Sequence, residues 1–170
     1  AVDITRYGSR WTFWKPRSVE GGLTSSPGVA NGLVVVGGRN GEVSAFNADT
    51  GQQRWVAKVS SEVLSTPLVL GDRVVVRSND GRVFGFDPAD GTRKWVFDRG
   101  LPSLTVRGNG SPVSANGLVY IGYDDGSVVA LRVADGQRVW EQIVAEPEGR
   151  SELDRMADVD GELQIGTDEV

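Results

Sequence analysis

The sequence predicts an all-β fold, a partial β-propeller of four-stranded antiparallel blades with three complete blades and parts of two more. Three observations predict it. First, one spacing recurs without gaps: Pro27, Gly41, Trp55, then Pro67, Gly81, Trp95, then Pro112, Gly126, Trp140, with 14 steps between successive markers. Second, three glycine-containing turn dipeptides punctuate each copy and divide it into four short segments. Third, the middle segments (Leu33-Val34-Val35-Val36, Val74-Val75-Val76, Leu118-Val119-Tyr120-Ile121) are nearly unbroken apolar runs. Such runs suit strands covered on both faces. Copies begin 40 and then 45 residues apart, the period of propeller blades.

In chain order, residues 1–20 read as the end of a preceding blade, with Trp11 in the docking position and Trp14 as the weaker candidate. Residues 24–59, 64–98 and 111–144 read as complete blades, and 163–170 as the start of another. Residues 99–110 and 145–162 read as extended loops. Propellers use about four to eight blades, so the chain reads as part of a larger ring.

The turn dipeptides are Asn31-Gly32, Asn40-Gly41 and Thr50-Gly51, then Gly71-Asp72, Asp80-Gly81 and Asp90-Gly91, then Asn116-Gly117, Asp125-Gly126 and Asp135-Gly136. Asn-Gly and Asp-Gly favour the positive φ of two-residue hairpin turns, and that geometry is expected here. Trp11, Trp55, Trp95 and Trp140 recur at one repeat position. That recurrence favours a filler between neighbouring blades over a ligand cage or base-stacking platform.

Composition excludes several functions. The net charge of −5 is spread along the chain, which argues against a nucleic-acid partner. Histidine and cysteine are both absent, which removes disulfides, nearly every zinc arrangement and the commonest general base. No apolar stretch approaches the roughly 18 residues of a membrane span, and no signal peptide is evident, although the abrupt start is compatible with a removed one.

Individual motifs are equally bland. Asp158-Val159-Asp160-Gly161 fails as a calcium loop because Met156 and Thr167 fall where carboxylates are required. Asp124-Asp125 precedes Gly126 and reads as a turn former. The Gly37–Gly41 run links two strands, so it lacks the helix N-terminus of a phosphate loop. No cofactor, metal or catalytic residue is expected.

The repeat breaks in two places. Trp55 and Pro67 are 12 steps apart, but Trp95 and Pro112 are 17 apart, the excess lying in LPSLTVRGN. A longer connection, EQIVAEPEGRSELDRMADVDGEL, follows Trp140. Both leave a fourth strand and should emerge on one face, where insertions in a repeat array usually mark binding. Leu104-Thr105-Val106 would offer alternating side chains and unpaired backbone groups to a partner's strand edge. Arg107 either meets that partner or pairs with Asp158 or Asp160.

GQQRW, GTRKW and GQRVW, with AFNADTG and ALRVADG before two of them, resemble the quinoprotein-type propeller repeat. LPSLTVRGNGSP followed by GRSELDRMADVD resembles the BamB family, propeller lipoproteins of the bacterial outer-membrane β-barrel assembly machinery. The resemblance implies an eight-bladed parent, of which this chain is under half. It implies a non-enzymatic scaffold at the periplasmic face of the outer membrane, docked by both loops on the periplasmic POTRA domains of BamA. By position, the contacts would be Leu104, Val106, Arg107, Asp158 and Asp160, with Val106 standing where some relatives have Leu. The family's lipid-bearing N-terminal Cys has no counterpart here. Contact with unfolded outer-membrane substrates is left open.

A quinoprotein dehydrogenase is the rival, but that family's adjacent Cys pair is missing. A propeller scaffold for another protein or peptide is the second alternative, without the GH and WD signatures of WD40 repeats. Open blade faces of three blades would expose apolar surface, so self-association is expected.

Overall fold

The computed structural model describes residues 22–100 and 110–144. Trp11, the flanking segments 1–20, 145–162 and 163–170, and the five loop candidates lie outside them.

The described chain forms three four-stranded antiparallel sheets, each a meander in sequence order. The first contains β1 (Gly28–Ala30), β2 (Leu33–Gly37), β3 (Glu42–Asn47) and β4 (Gln53–Lys58). The second contains β5 (Leu68–Val69), β6 (Val74–Arg77), β7 (Val83–Phe86) and β8 (Arg93–Phe97). The third contains β9 (Val113–Ala115), β10 (Leu118–Gly122), β11 (Ser127–Arg132) and β12 (Arg138–Ile143). The first strand of each sheet is shorter than the roughly five residues that turn spacing predicts: β5 has only 2.

The sheets stack as successive propeller blades. One core cluster joins the first two, with Val35, Val43 and Trp55 against Val74, Val76 and Phe86. A second joins the next pair, with Val75, Val83 and Trp95 against Val119, Ile121 and Leu131. Alternate residues of β6 thus face opposite clusters, which explains its continuous valine run.

Two tryptophans stitch these junctions. Trp55 Nε1 donates to the Pro88 carbonyl at 2.9 Å, and Trp95 Nε1 donates to the Val133 carbonyl at 2.9 Å. Each indole lies flat on a turn glycine of the next sheet: a Cβ on Gly91 or Gly136 would approach the ring within 2.6 or 2.5 Å. Every sheet also has a register shift one residue pair before its tryptophan, at Ala45/Phe46, Gly85/Phe86 and Ala130/Leu131. A bulge bends the strand and raises its twist, aiming the indole at the following blade. Trp140 occupies the same position, packs on Tyr120 and remains 41% exposed.

The turns differ from expectation in type. Only Asn31-Gly32 and Asn116-Gly117 have positive φ at both residues, as a two-residue type I′ turn requires. In the second sheet Gly71 lacks positive φ. The β2–β3, β6–β7 and β10–β11 links are three-residue loops, closed by Gly38 N to Glu42 O, Ser78 N to Arg82 O and Tyr123 N to Ser127 O. The next link in each blade is a four-residue loop, closed for example by Asn47 N to Gln52 O. In both kinds the glycine alone takes the left-handed conformation at the loop's end. An Asn or Asp before glycine is therefore a cue for several loop lengths, and its side chain caps backbone amides instead: Asp125 Oδ1 accepts from Ser127 N at 3.1 Å.

Candidate functional site

The predicted contact residues Leu104, Val106, Arg107, Asp158 and Asp160 lie outside the described residues; the described chain supplies the roots from which their loops depart. Strands β4, β8 and β12 all end on the edge that carries the β2–β3, β6–β7 and β10–β11 loops. Phe97, the last residue of β8, pairs with Val83 at the start of β7, and Val144 N donates to Gly126 O at 2.8 Å. Both long connections therefore leave from this one edge.

Between the second and third blades, that edge is built around Tyr123. The residue follows β10 directly and is 7% exposed, and its hydroxyl donates to the Gly81 carbonyl at 3.1 Å. Two guanidinium groups lie against its ring, Arg77 at 4.8 Å and Arg99 at 4.6 Å from the centroid. Desolvated cation–π contacts of this kind contribute up to about 2 kcal/mol each.

Arg77 ends β6 and is 1% exposed. It donates to the Gly122 carbonyl at 2.8 Å and reaches the Gly110 carbonyl, a weaker contact at 3.5 Å. Its guanidinium also lies 3.8 Å from Asp124 Oδ1. Gly110 closes the first long loop, so Arg77 touches that loop's end. Arg99 opens the same loop. It pairs with Asp125 at 2.9 Å and with Glu141 of β12 in a shorter contact. Glu141 is held in turn by Arg138 at 2.5 Å.

Asp124 and Asp125, expected as turn formers alone, also carry charge across the blade junction. Burial raises the Asp125 carboxyl, but hydrogen bonds from Ser127 and Arg99 outweigh it and hold the group below the ordinary carboxylate range. Burial pushes the Tyr123 phenol from its ordinary 10.0 up to about 12, with both arginines pulling the other way. Its folded value exceeds its unfolded one, so the contribution to stability is complete below pH 10.0 and lost as pH rises through about 12. Denaturation measured across that window should show a loss of about 2–3 kcal/mol in the native chain that Tyr123→Phe lacks.

Repeat comparison marks these residues, though loop length alone does not. Arg77 stands where the other copies have Gly37 and Gly122, Tyr123 where they have Gly38 and Ser78, and Arg99 where the first has Val59. In the first blade Gly37 leaves room for Val63 of the short connection, since a Cβ there would lie 2.4 Å from that side chain. Among the described residues no group of three or more potential metal ligands occurs.

A family model described as outer membrane protein assembly factor BamB matches residues 1–170. The chain belongs to the BamB family. It is 51% identical over 168 residues to the BamB of Xanthomonas campestris, covering 95% of this chain and 41% of that protein. Identity to the Escherichia coli BamB is 46% over 150 residues, covering 88% of this chain and 37% of the relative. The chain thus spans about two fifths of the curated relatives it matches. Among solved structures, BamB from Moraxella catarrhalis superposes with a TM-score of 0.83 at 32% identity, over 93% of this chain and 48% of that one. The family match covers all three blades, and with them the Tyr123 junction.

Proposed function

We propose that this chain acts within a non-enzymatic scaffold subunit of the outer-membrane β-barrel assembly machinery, at the periplasmic face of the membrane. Two inter-blade loops dock it on the periplasmic POTRA domains of BamA. Leu104 and Val106 bury apolar area there, while Arg107, Asp158 and Asp160 supply the charged contacts. Family membership supports the assembly role, because the relatives are named outer membrane protein assembly factors. The observation that carries the choice of surface is the common root: both long connections leave one rigid edge, beside the Arg77–Tyr123–Arg99 stack. A rigid scaffold holding two loops at their roots in fixed relation lowers the ordering cost of binding.

Titration against the periplasmic domains of BamA tests this reading, using this chain and a complete family member. Wild type is expected to bind, and Arg107→Glu with an unchanged thermal midpoint is expected to bind about tenfold or more weakly, the scale of 1.4 kcal/mol. Absence of binding by both wild-type proteins overturns the reading. Binding that survives Arg107→Glu moves the contact to another surface.

A further inference from the structure

We propose that Arg99 and Glu141 are positioning residues that lock the roots of the two long inter-blade loops to each other. The inference rests on the docking reading above and adds how the two docking segments are held in register.

Arg99 is the residue two past the end of β8, where the first long loop begins, and Glu141 lies in β12, the strand from which the second departs. One guanidinium nitrogen, Arg99 Nη2, meets both Glu141 Oε1 and Asp125 Oδ2. The other Glu141 oxygen is taken by Arg138, and the guanidinium plane rests on Tyr123. Arg99 is 12% and Glu141 24% exposed at the side chain, so this pair is far better fixed than an ordinary surface ion pair. Arg99 alternatives are limited because stacking and two carboxylates define its plane.

The preceding junction provides an internal comparison. There the equivalent residues are Val59 and Val96, and the connection between blades is the short one of 12 steps against 17. The ion pair therefore accompanies the lengthened loop and is absent where the connection is short. A pair serving only to join blades would be as useful at either junction. At the first junction the connection is pinned through its own backbone instead, with Val63 N donating to Gly38 O and Asn79 N to Glu62 O.

The test compares wild type, Arg99→Gln, Glu141→Gln, the double variant and Arg99→Lys, all in this chain. The first readout is amide hydrogen exchange in 101–109 and 145–162. The second is the association rate with BamA's periplasmic domains. Each Gln variant is expected to speed exchange in 101–109 about tenfold beyond what its change in global unfolding accounts for. The double variant should be no worse than either single one, as coupled residues require. Arg99→Lys should recover part of the protection. Exchange unchanged in both loops, or effects that simply add, overturns the clamp. Exchange needs no partner, so failure of wild type to bind BamA sinks the docking reading alone and leaves the clamp to be judged on exchange.

Discussion

Trp95→Ala is expected to lower the unfolding free energy by about 3–5 kcal/mol, whereas Trp140→Ala costs less than about 1.5 kcal/mol. The two occupy one repeat position but not one environment. Trp95 is 8% exposed, and its ring covers Gly85 of its own sheet and Gly136 of the next. Its Nε1–H donates to the Val133 carbonyl, so truncation opens a cavity at a blade junction and also strands an acceptor. Trp140 is 41% exposed and gives up chiefly its contact with Tyr120. Chemical denaturation followed by circular dichroism gives both values. Equal costs would mean that the indole acts within its own sheet and that stacking between blades is not what it serves.

Arg77→Ala should be similarly severe, at about 3–5 kcal/mol. Its charge is taken out of water, and the wild type compensates with the Gly122 carbonyl, Asp124 and the face of Tyr123. Removing the guanidinium takes a donor from that carbonyl and an ion-pair partner from that carboxylate, in a place largely withdrawn from water. Asp124→Asn added to Arg77→Ala should therefore cost less than the sum of the two single changes. A sum of independent effects would show that Arg77 acts through its aliphatic stem and its backbone contacts alone. On the docking proposed above, the same variant should also weaken BamA binding, because Arg77 reaches Gly110 at the end of the first loop.

Much of the fold is legible because its determinants are local. Glycine after Asn or Asp punctuates the strands, and valine runs mark those buried on both sides. Loop type was not legible: Asn40-Gly41 and Asn31-Gly32 look alike, yet the first closes a three-residue loop and the second a two-residue turn. The number of residues between the last ladder pairs decides that difference, and the register is set by packing against the neighbouring blade.

The candidate site divides in the same way. The repeat, the all-β class, the tryptophan position and the two places where connections lengthen are readable from residue order, because each is a matter of spacing along the chain. That Arg77, Tyr123, Arg99, Asp125 and Glu141 form one cluster follows from packing alone, for they come from separate strands and turns in two blades. Their departures from the repeat were visible as Arg for Gly, Tyr for Gly or Ser, and Arg for Val. What converts those departures into a shared site is the face-to-face stacking of blades, which brings residues 42 positions apart, Arg99 and Glu141, into contact.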